Sequence, residues 1–348
     1  MNFLTEYGLF LAKIITVVIA IMVVMMTVMV LKTRNKKQGG GQLVLSHPAR
    51  EYSELQQTMQ QACLEPEQQK QWLKAKKKAE KLEKNSKKKE NGTAESVTKP
   101  TLWLLSFKGS MDAREVDALR QEISAVLSVA KAEDEVLVQL ESPGGVVHGY
   151  GLAASQLQRV RDHGIKLTVA IDKVAASGGY MMACVADHIV AAPFAIIGSI
   201  GVVAQIPNFN RLLKRNDIDV ELLTAGQYKR TLTLFGENSQ QGREKFQQEL
   251  EQTHQLFKDF VQQMRPQLNI EQVATGEHWY GQQALDMQLV DKLTTSDALI
   301  ISKIDTYTVV KVKYRHRKTV SERFFGQAAQ AVEQRLLRLW QRGTSSSL

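Results

Sequence analysis

Only two cysteines occur in the 348 residues. Cys63 lies in a polar segment and Cys184 in a small-residue apolar run far from it, so there is neither a disulfide framework nor a cysteine-based metal spacing. The phosphate-loop pattern G-x-x-x-x-G-K is absent, and histidines and carboxylates do not cluster at ligand spacing. No metal, nucleotide or other cofactor is therefore expected. Aromatics make up 7% of the chain and are missing from its most basic stretch. That stretch, Lys74 to Lys89, holds nine lysines against Glu80 and Glu83, a net +7 of the formal +9. A lysine run without stacking aromatics reads as a solvated segment, and nucleic acid is excluded as a partner.

What the chain does have is a long apolar run at its start. Residues 14–31 carry no charge within the stretch from Gly8 to Leu31. At about 1.5 Å per residue, such a helix spans the roughly 30 Å hydrocarbon core. Glu6 in place of an N-terminal positive charge, and the lack of an A-x-A-like site, argue for a retained anchor over a cleaved signal peptide. Lys32, Arg34, Lys36 and Lys37 follow at once, and the positive-inside rule places the downstream chain in the cytoplasm.

Residues 32–99 are rich in Gln, Lys, Glu and Ser and read as a polar tether, with a polar helix around 52–84 broken near Pro66. After Pro100 the pattern changes. Apolar runs of strand length, TLWLLSF (101–107), EVLVQL (135–140), KLTVAI (166–171), DHIVAA (187–192) and DVELLT (219–224), alternate with helical patterns at 113–129 and 149–161. This predicts an α/β fold of βαβ units with a mostly parallel sheet over residues 100–305. Met181 to Ile206 is apolar too, but Asp187, His188, Pro193 and several glycines favour buried strands over a second span. A long polar helix is expected over 238–265, its Phe246, Leu250, Phe257 and Phe260 stripe facing core or another subunit. Residues 306–348 read as a basic strand and an amphipathic helix. In that helix Val332, Leu336, Leu339 and Trp340 share one face, which suits either packing on a protein surface or contact with a membrane.

Three loops at predicted strand ends carry chemistry. In ESPGG (141–145), a proline and two glycines allow backbone N–H groups to turn outward toward a ligand. In VAASGGYMMA (174–183), small residues around Ser177 permit a sharp strand-to-helix turn of the nucleophile-elbow kind, although G-x-S-x-G itself is absent. A serine capping the helix would account for Ser177 equally well at this level. In TAGQYKRT (224–231), Lys229 and Arg230 are presented. A serine nucleophile needs a base and about two aimed donors for the oxyanion. Gly178 with Gly144 or Gly145 supplies the donors. The base is either Lys229, provided desolvation lowers its pKa, or His148 or His188 with Asp172 or Asp187 completing a triad.

The ordered motifs ESPGG, KVAASGGYMMACVAD (173–187), GSIGVV (198–203), TAGQYKR (224–230) and GEHWYGQQALDMQLVD (276–291) resemble the signal-peptide-peptidase-A family of Ser/Lys proteases over nearly the full length. The resemblance implies a crotonase-like, Clp-protease-like fold of repeated ββα/βαβ units, carried here behind one N-terminal transmembrane helix and a Lys-rich tether. It also implies Ser177 as nucleophile, Lys229 as general base, Ser199 as the serine that orients the lysine, and an oxyanion hole from Gly178 with Gly144 or Gly145. It further implies a homo-oligomer in which neighbouring copies share the dyad. The substrates implied are hydrophobic peptides, signal-peptide remnants or membrane-protein fragments at the bacterial inner membrane. Family analogy places the catalytic domain on the periplasmic side, opposite to the flanking charges. Glu141 stands where relatives often have Asn. A catalytically silent scaffold and crotonase-type acyl-CoA chemistry are the competing readings; an intact Ser177 and Lys229 stand against the first, and the dyad and anchor against the second.

Overall fold

The computed structural model describes residues 41–65, 67–72 and 99–315, together with isolated positions among 10–17 and 74–78. The expected anchor at 8–31 falls almost wholly outside the described residues, as do the lysine run and the C-terminal amphipathic helix. Among the described residues no helix is long and apolar enough to cross a membrane. Two units are distinguished, Met1–Gln42 with Arg315–Leu348 and Leu43–Tyr314, and the fold below is that of the second.

The strands are β1 (Gln42–Ser46), β2 (Thr101–Lys108), β3 (Glu135–Glu141), β4 (Lys166–Ile171), β5 (Val174–Ala176), β6 (His188–Ala191), β7 (Ile196–Gly198), β8 (His278–Tyr280), β9 (Lys292–Leu293) and β10 (Thr308–Arg315). The helices are α1 (Pro48–Ala62), α2 (Val116–Leu127), α3 (Val147–Asp162), α4 (Gly178–Ala183), α5 (Asn210–Arg215), α6 (Gln240–Met264), α7 (Ile270–Val273), α8 (Gly281–Asp286) and α9 (Ser296–Lys303). Seven strands form one sheet in the order β1-β10-β2-β3-β4-β6-β9, and β10 through β9 pair in parallel. A second sheet has the order β5-β7-β8. Thus part of the segment read as tether is ordered: β1 extends the main sheet and α1 follows it.

The central strands are apolar on both faces because both faces are covered, as a parallel sheet requires. Val136, Val138 and Leu140 of β3 join Leu105, Phe107, Leu167 and Val169 on one face, where α2 (Val116, Leu119, Ile123, Val126) and α3 (Tyr150, Ala153, Leu157, Val160) lie. Leu137 points to the other face with Leu102, Leu104, Ala170, Val190 and Ile300 of α9. The period-two alternation along each strand and the 3.6-residue period along α2 and α3 thus meet in one core.

The span 181–206, with its tempting apolar content, holds the end of α4, then β6 and β7, as the strand reading expected. The run Asp219–Thr224 is not a strand. A strand exists by pairing, and no other strand of the described chain lies alongside this one. Residues 201–238 instead form an arm that contains only α5 and exposes Val203, Val220, Leu222 and Leu223. Its base is closed by Phe209 N–H donating to the Leu234 carbonyl at 2.7 Å and by Asn208 Nδ2 donating to the carbonyls of Thr233 and Gly236.

Arg265 at the end of α6 grips Asp291 in a two-pronged pair of 2.7 and 2.9 Å, while Asp291 Oδ2 also accepts Ile189 N–H at 2.7 Å. The Asp291 carboxyl is lowered from the usual aspartate range: burial pushes it up, but the hydrogen bonds from Arg265 and Ile189 and the Arg265 charge outweigh that. A carboxylate depressed on folding contributes stability above its unfolded pKa of about 3.9, and that contribution is lost as pH falls through the folded value. Asp291→Asn is therefore expected to destabilise the protein by about 3–5 kcal/mol at neutral pH, since Arg265 is left buried without its partner. The gap to wild type should shrink as pH is taken below about 4 in urea-unfolding series. A gap that stays constant to about pH 3 would contradict the assignment.

Candidate active site

Ser177 links β5 to α4 with φ 51° and ψ −120°. A non-glycine residue at such angles costs of order 1–3 kcal/mol and persists only when its surroundings over-determine it. They do here: Ser177 N–H donates to the Gly198 carbonyl at 2.7 Å, Met181 N–H donates to the Ser177 carbonyl at 3.0 Å, and Ala176 N–H donates to the Ser142 carbonyl at 3.0 Å. Although Ser177 occupies the N-cap position of α4, its side chain makes no capping hydrogen bond. The capping account of this serine is thereby set aside. The hydroxyl is half-buried and not committed to any partner among the described residues.

The ESPGG loop presses directly against it. Ser142 forms a parallel bridge with Ala175 and donates its N–H to the Val174 carbonyl at 2.8 Å. Gly144, at φ +92°, approaches so closely that a Cβ there would lie 2.7 Å from Ser177 Cβ and 2.9 Å from Gly178 N. Only glycine satisfies both the angle and the contact. A Cβ on Gly178 would lie 2.4 Å from Cγ of Tyr150, and one on Gly179 2.5 Å from the Ser142 carbonyl oxygen. The glycines around Ser177 are thus explained by close contact with neighbouring backbone and with the Tyr150 ring.

Of the two candidate donors in the loop, Gly144 N–H is directed inward and donates to Ser142 Oγ at 3.1 Å. The N–H groups of Gly145 and Gly178 have no acceptor among the described residues. Glu141 lies beside the turn and pairs with Lys108 at 3.0 Å and Lys173 at 3.4 Å. Its carboxyl is held below the usual range, first by the Lys108 hydrogen bond, so its negative charge is matched by two lysines.

Ser199 follows β7 with φ 51° and donates its N–H to the Glu277 carbonyl at 2.6 Å. The Gly198 carbonyl that receives Ser177 N–H puts the Gly198–Ser199 peptide next to Ser177. Lys229 is not brought into this group. It sits exposed in the 201–238 arm, its backbone bonded locally to Gly226, and no hydrogen bond joins it to Ser177 or Ser199 among the described residues. Neither histidine alternative is hydrogen-bonded to Ser177 among the described residues: His188 faces Asp291 at 3.6 Å, and His148 is exposed at the start of α3. Asp172 is bonded to Ser296, and Asp187 to Arg161 and Leu167 N–H. Two residues beneath the loops carry no motif signal of their own. They are Ser142 as a side chain and Tyr150, both fully buried and hydrogen-bonded to each other at 2.6 Å.

Comparison with known proteins matches residues 2–157 to a model described as peptidase family S49 N-terminal, and residues 159–309 to peptidase family S49. "Probable protease SohB" of Haemophilus influenzae is 53% identical over 339 residues, covering 95% of this chain and 94% of that one. The protein of the same description from Buchnera aphidicola subsp. Acyrthosiphon pisum is 59% identical over 242 residues, covering 70% of this chain and 72% of its own length. Among solved structures, the 1510-N membrane-bound stomatin-specific protease in complex with a substrate peptide overlaps with a TM-score of 0.41 at 12% identity, covering 67% of this chain and 100% of that chain. The two adjoining family matches and the near full-length identity to the Haemophilus relative lead to one conclusion: the chain belongs to peptidase family S49 and is a serine peptidase.

Proposed function

We propose that the chain is a membrane-anchored endopeptidase whose nucleophile is Ser177 and whose general base is Lys229 from a neighbouring copy. One observation carries this reading. Ser177 is held at strained backbone angles with its hydroxyl spared from capping, and the unengaged N–H groups of Gly178 and Gly145 belong to the two backbones interlocked around it.

The chemistry follows from the parts. Ser177 Oγ attacks the scissile carbonyl while the neutral amine of Lys229 takes the hydroxyl proton. Ser199, one residue beyond the carbonyl that fixes Ser177 N–H, orients the amine. The tetrahedral oxyanion is met by Gly178 and Gly145 N–H, donors of a kind worth about 2.7–4 kcal/mol each. Lys229 returns the proton to the leaving amine, and water then releases the acyl group by the same route in reverse.

A lysine performs as base near neutrality only when removed from water. In a single chain Lys229 is exposed, on an arm whose Val203 and Leu223 are 91% and 89% exposed. Such an arm favours burial against a second copy, which would both cover its apolar residues and desolvate the amine. The substrates proposed are hydrophobic peptides, including signal-peptide remnants and membrane-protein fragments, at the bacterial inner membrane.

Labelling the purified full chain with a fluorophosphonate, followed by peptide mapping, is expected to put the adduct on Ser177 and to lose it in both Ser177→Ala and Lys229→Ala. Full turnover in Lys229→Met would remove the lysine from the mechanism. Mixing the two inactive variants during assembly is expected to restore about a quarter of wild-type activity, because random mixing gives that fraction of shared sites both intact residues. Mixed assemblies that form and stay inactive would place both residues within one copy.

A further inference from the structure

Beneath the two loops runs a buried chain of hydroxyls whose protons can be assigned by elimination. Tyr150 OH lies 2.9 Å from the Ser110 carbonyl, and a carbonyl only accepts, so the Tyr150 proton is spent there. The 2.6 Å contact between Tyr150 OH and Ser142 Oγ must then be served by the Ser142 proton. Ser142 Oγ in turn accepts Gly144 N–H at 3.1 Å. The order is therefore Gly144 N–H to Ser142 O–H to Tyr150 O–H to the Ser110 carbonyl, every donor pointing the same way in a buried setting where such chains reinforce one another.

The same tyrosine touches the other half of the site. Its ring packs on Gly178, where an added Cβ would lie within 2.8 Å of Cβ, Cγ and Cδ2 of Tyr150. The ring itself is braced edge-on by Phe107, with centroids 6.4 Å apart. One side chain thus supports Gly178 with its ring and fixes the Gly144 peptide with its hydroxyl. By drawing Gly144 N–H inward, the chain determines which peptide of the glycine pair keeps an unengaged N–H, namely Gly145.

We infer that Tyr150, acting with Ser142, is a positioning residue for the oxyanion hole, setting both Gly178 and the Gly144–Gly145 turn. This rests on the serine-peptidase reading of Ser177 above. A ring without its hydroxyl would fill the same space, and the Ser110 carbonyl also accepts Ala113 N–H, so what removing the hydroxyl takes away is the acceptor that orients the Ser142 O–H. The hydroxyl is needed for direction rather than for filling.

The test is steady-state proteolysis by the assembled full chain for Tyr150→Phe, Ser142→Ala and the double variant, with fluorophosphonate inactivation rates and thermal unfolding measured alongside. Tyr150→Phe is expected to lower kcat and the inactivation rate together by about ten- to hundredfold, less than outright loss of a donor, while KM stays within about twofold. Ser142→Ala keeps the ring and should do the same. The double variant should be no worse than the weaker single, since both cut one chain. Wild-type kcat and inactivation rate in folded Tyr150→Phe or Ser142→Ala, or losses that multiply in the double variant, would overturn the inference. Ser177→Ala is assayed in parallel. An inactive Ser177→Ala beside an unaffected Tyr150→Phe refutes the positioning role alone, whereas an active Ser177→Ala refutes the underlying peptidase reading.

Discussion

The bridge between Ser142 and Ala175 is the constraint on which the site depends. Through it, the end of β3 in the large sheet is tied to β5 in the small one by two backbone hydrogen bonds, Ser142 N–H to Val174 and Ala176 N–H to Ser142. Ser177 immediately follows β5, and the strand that delivers it at φ 51° is fixed on one side by Ser142 and on the other by β7. The arrangement lies at the carboxyl ends of β3 and β5, where open α/β sheets place their ligands.

The junction also explains the glycine content of both motifs without appeal to flexibility. Gly144, Gly178 and Gly179 each face backbone or a rigid ring at distances that admit no Cβ. The two segments crossing this closely leave the N–H groups of Gly145 and Gly178 without acceptors among the described residues. The same close packing thus accounts for the glycines and underlies the oxyanion hole proposed above. The price is a buried polar pair, Ser142 and Tyr150, that must be fully satisfied, and the directed hydroxyl chain satisfies it.

The legibility of this architecture varied with how local its causes are. Runs such as EVLVQL and KLTVAI became β3 and β4 because parallel strands covered on both faces must be continuously apolar, a property visible residue by residue. The loop containing Ser177 is visible through its small residues, yet whether the hydroxyl caps α4 depends on how the loop folds, since both outcomes use the same sequence. DVELLT has strand composition but no partner strand in the described chain, and pairing is not a property of a segment alone. Likewise Lys229 is singled out by its motif alone, and in one chain it is an exposed residue of the arm; the role proposed for it requires a second copy, which a single sequence does not display. Tyr150 was hidden for another reason: it looks like any apolar member of the α3 face, and its role depends on an oxygen contact eight residues back in sequence.

The arrangement is tested most directly by determining the structure of the assembled full chain with a peptide aldehyde or boronate bound covalently to Ser177. The account predicts the adduct oxygen within hydrogen-bond distance of Gly178 N–H and Gly145 N–H, Gly144 N–H still turned toward Ser142 Oγ, and the Lys229 amine of a neighbouring copy next to Ser177 Oγ. An adduct oxygen held by other groups, or a Ser177 whose nearest base is a histidine of its own chain, would contradict it.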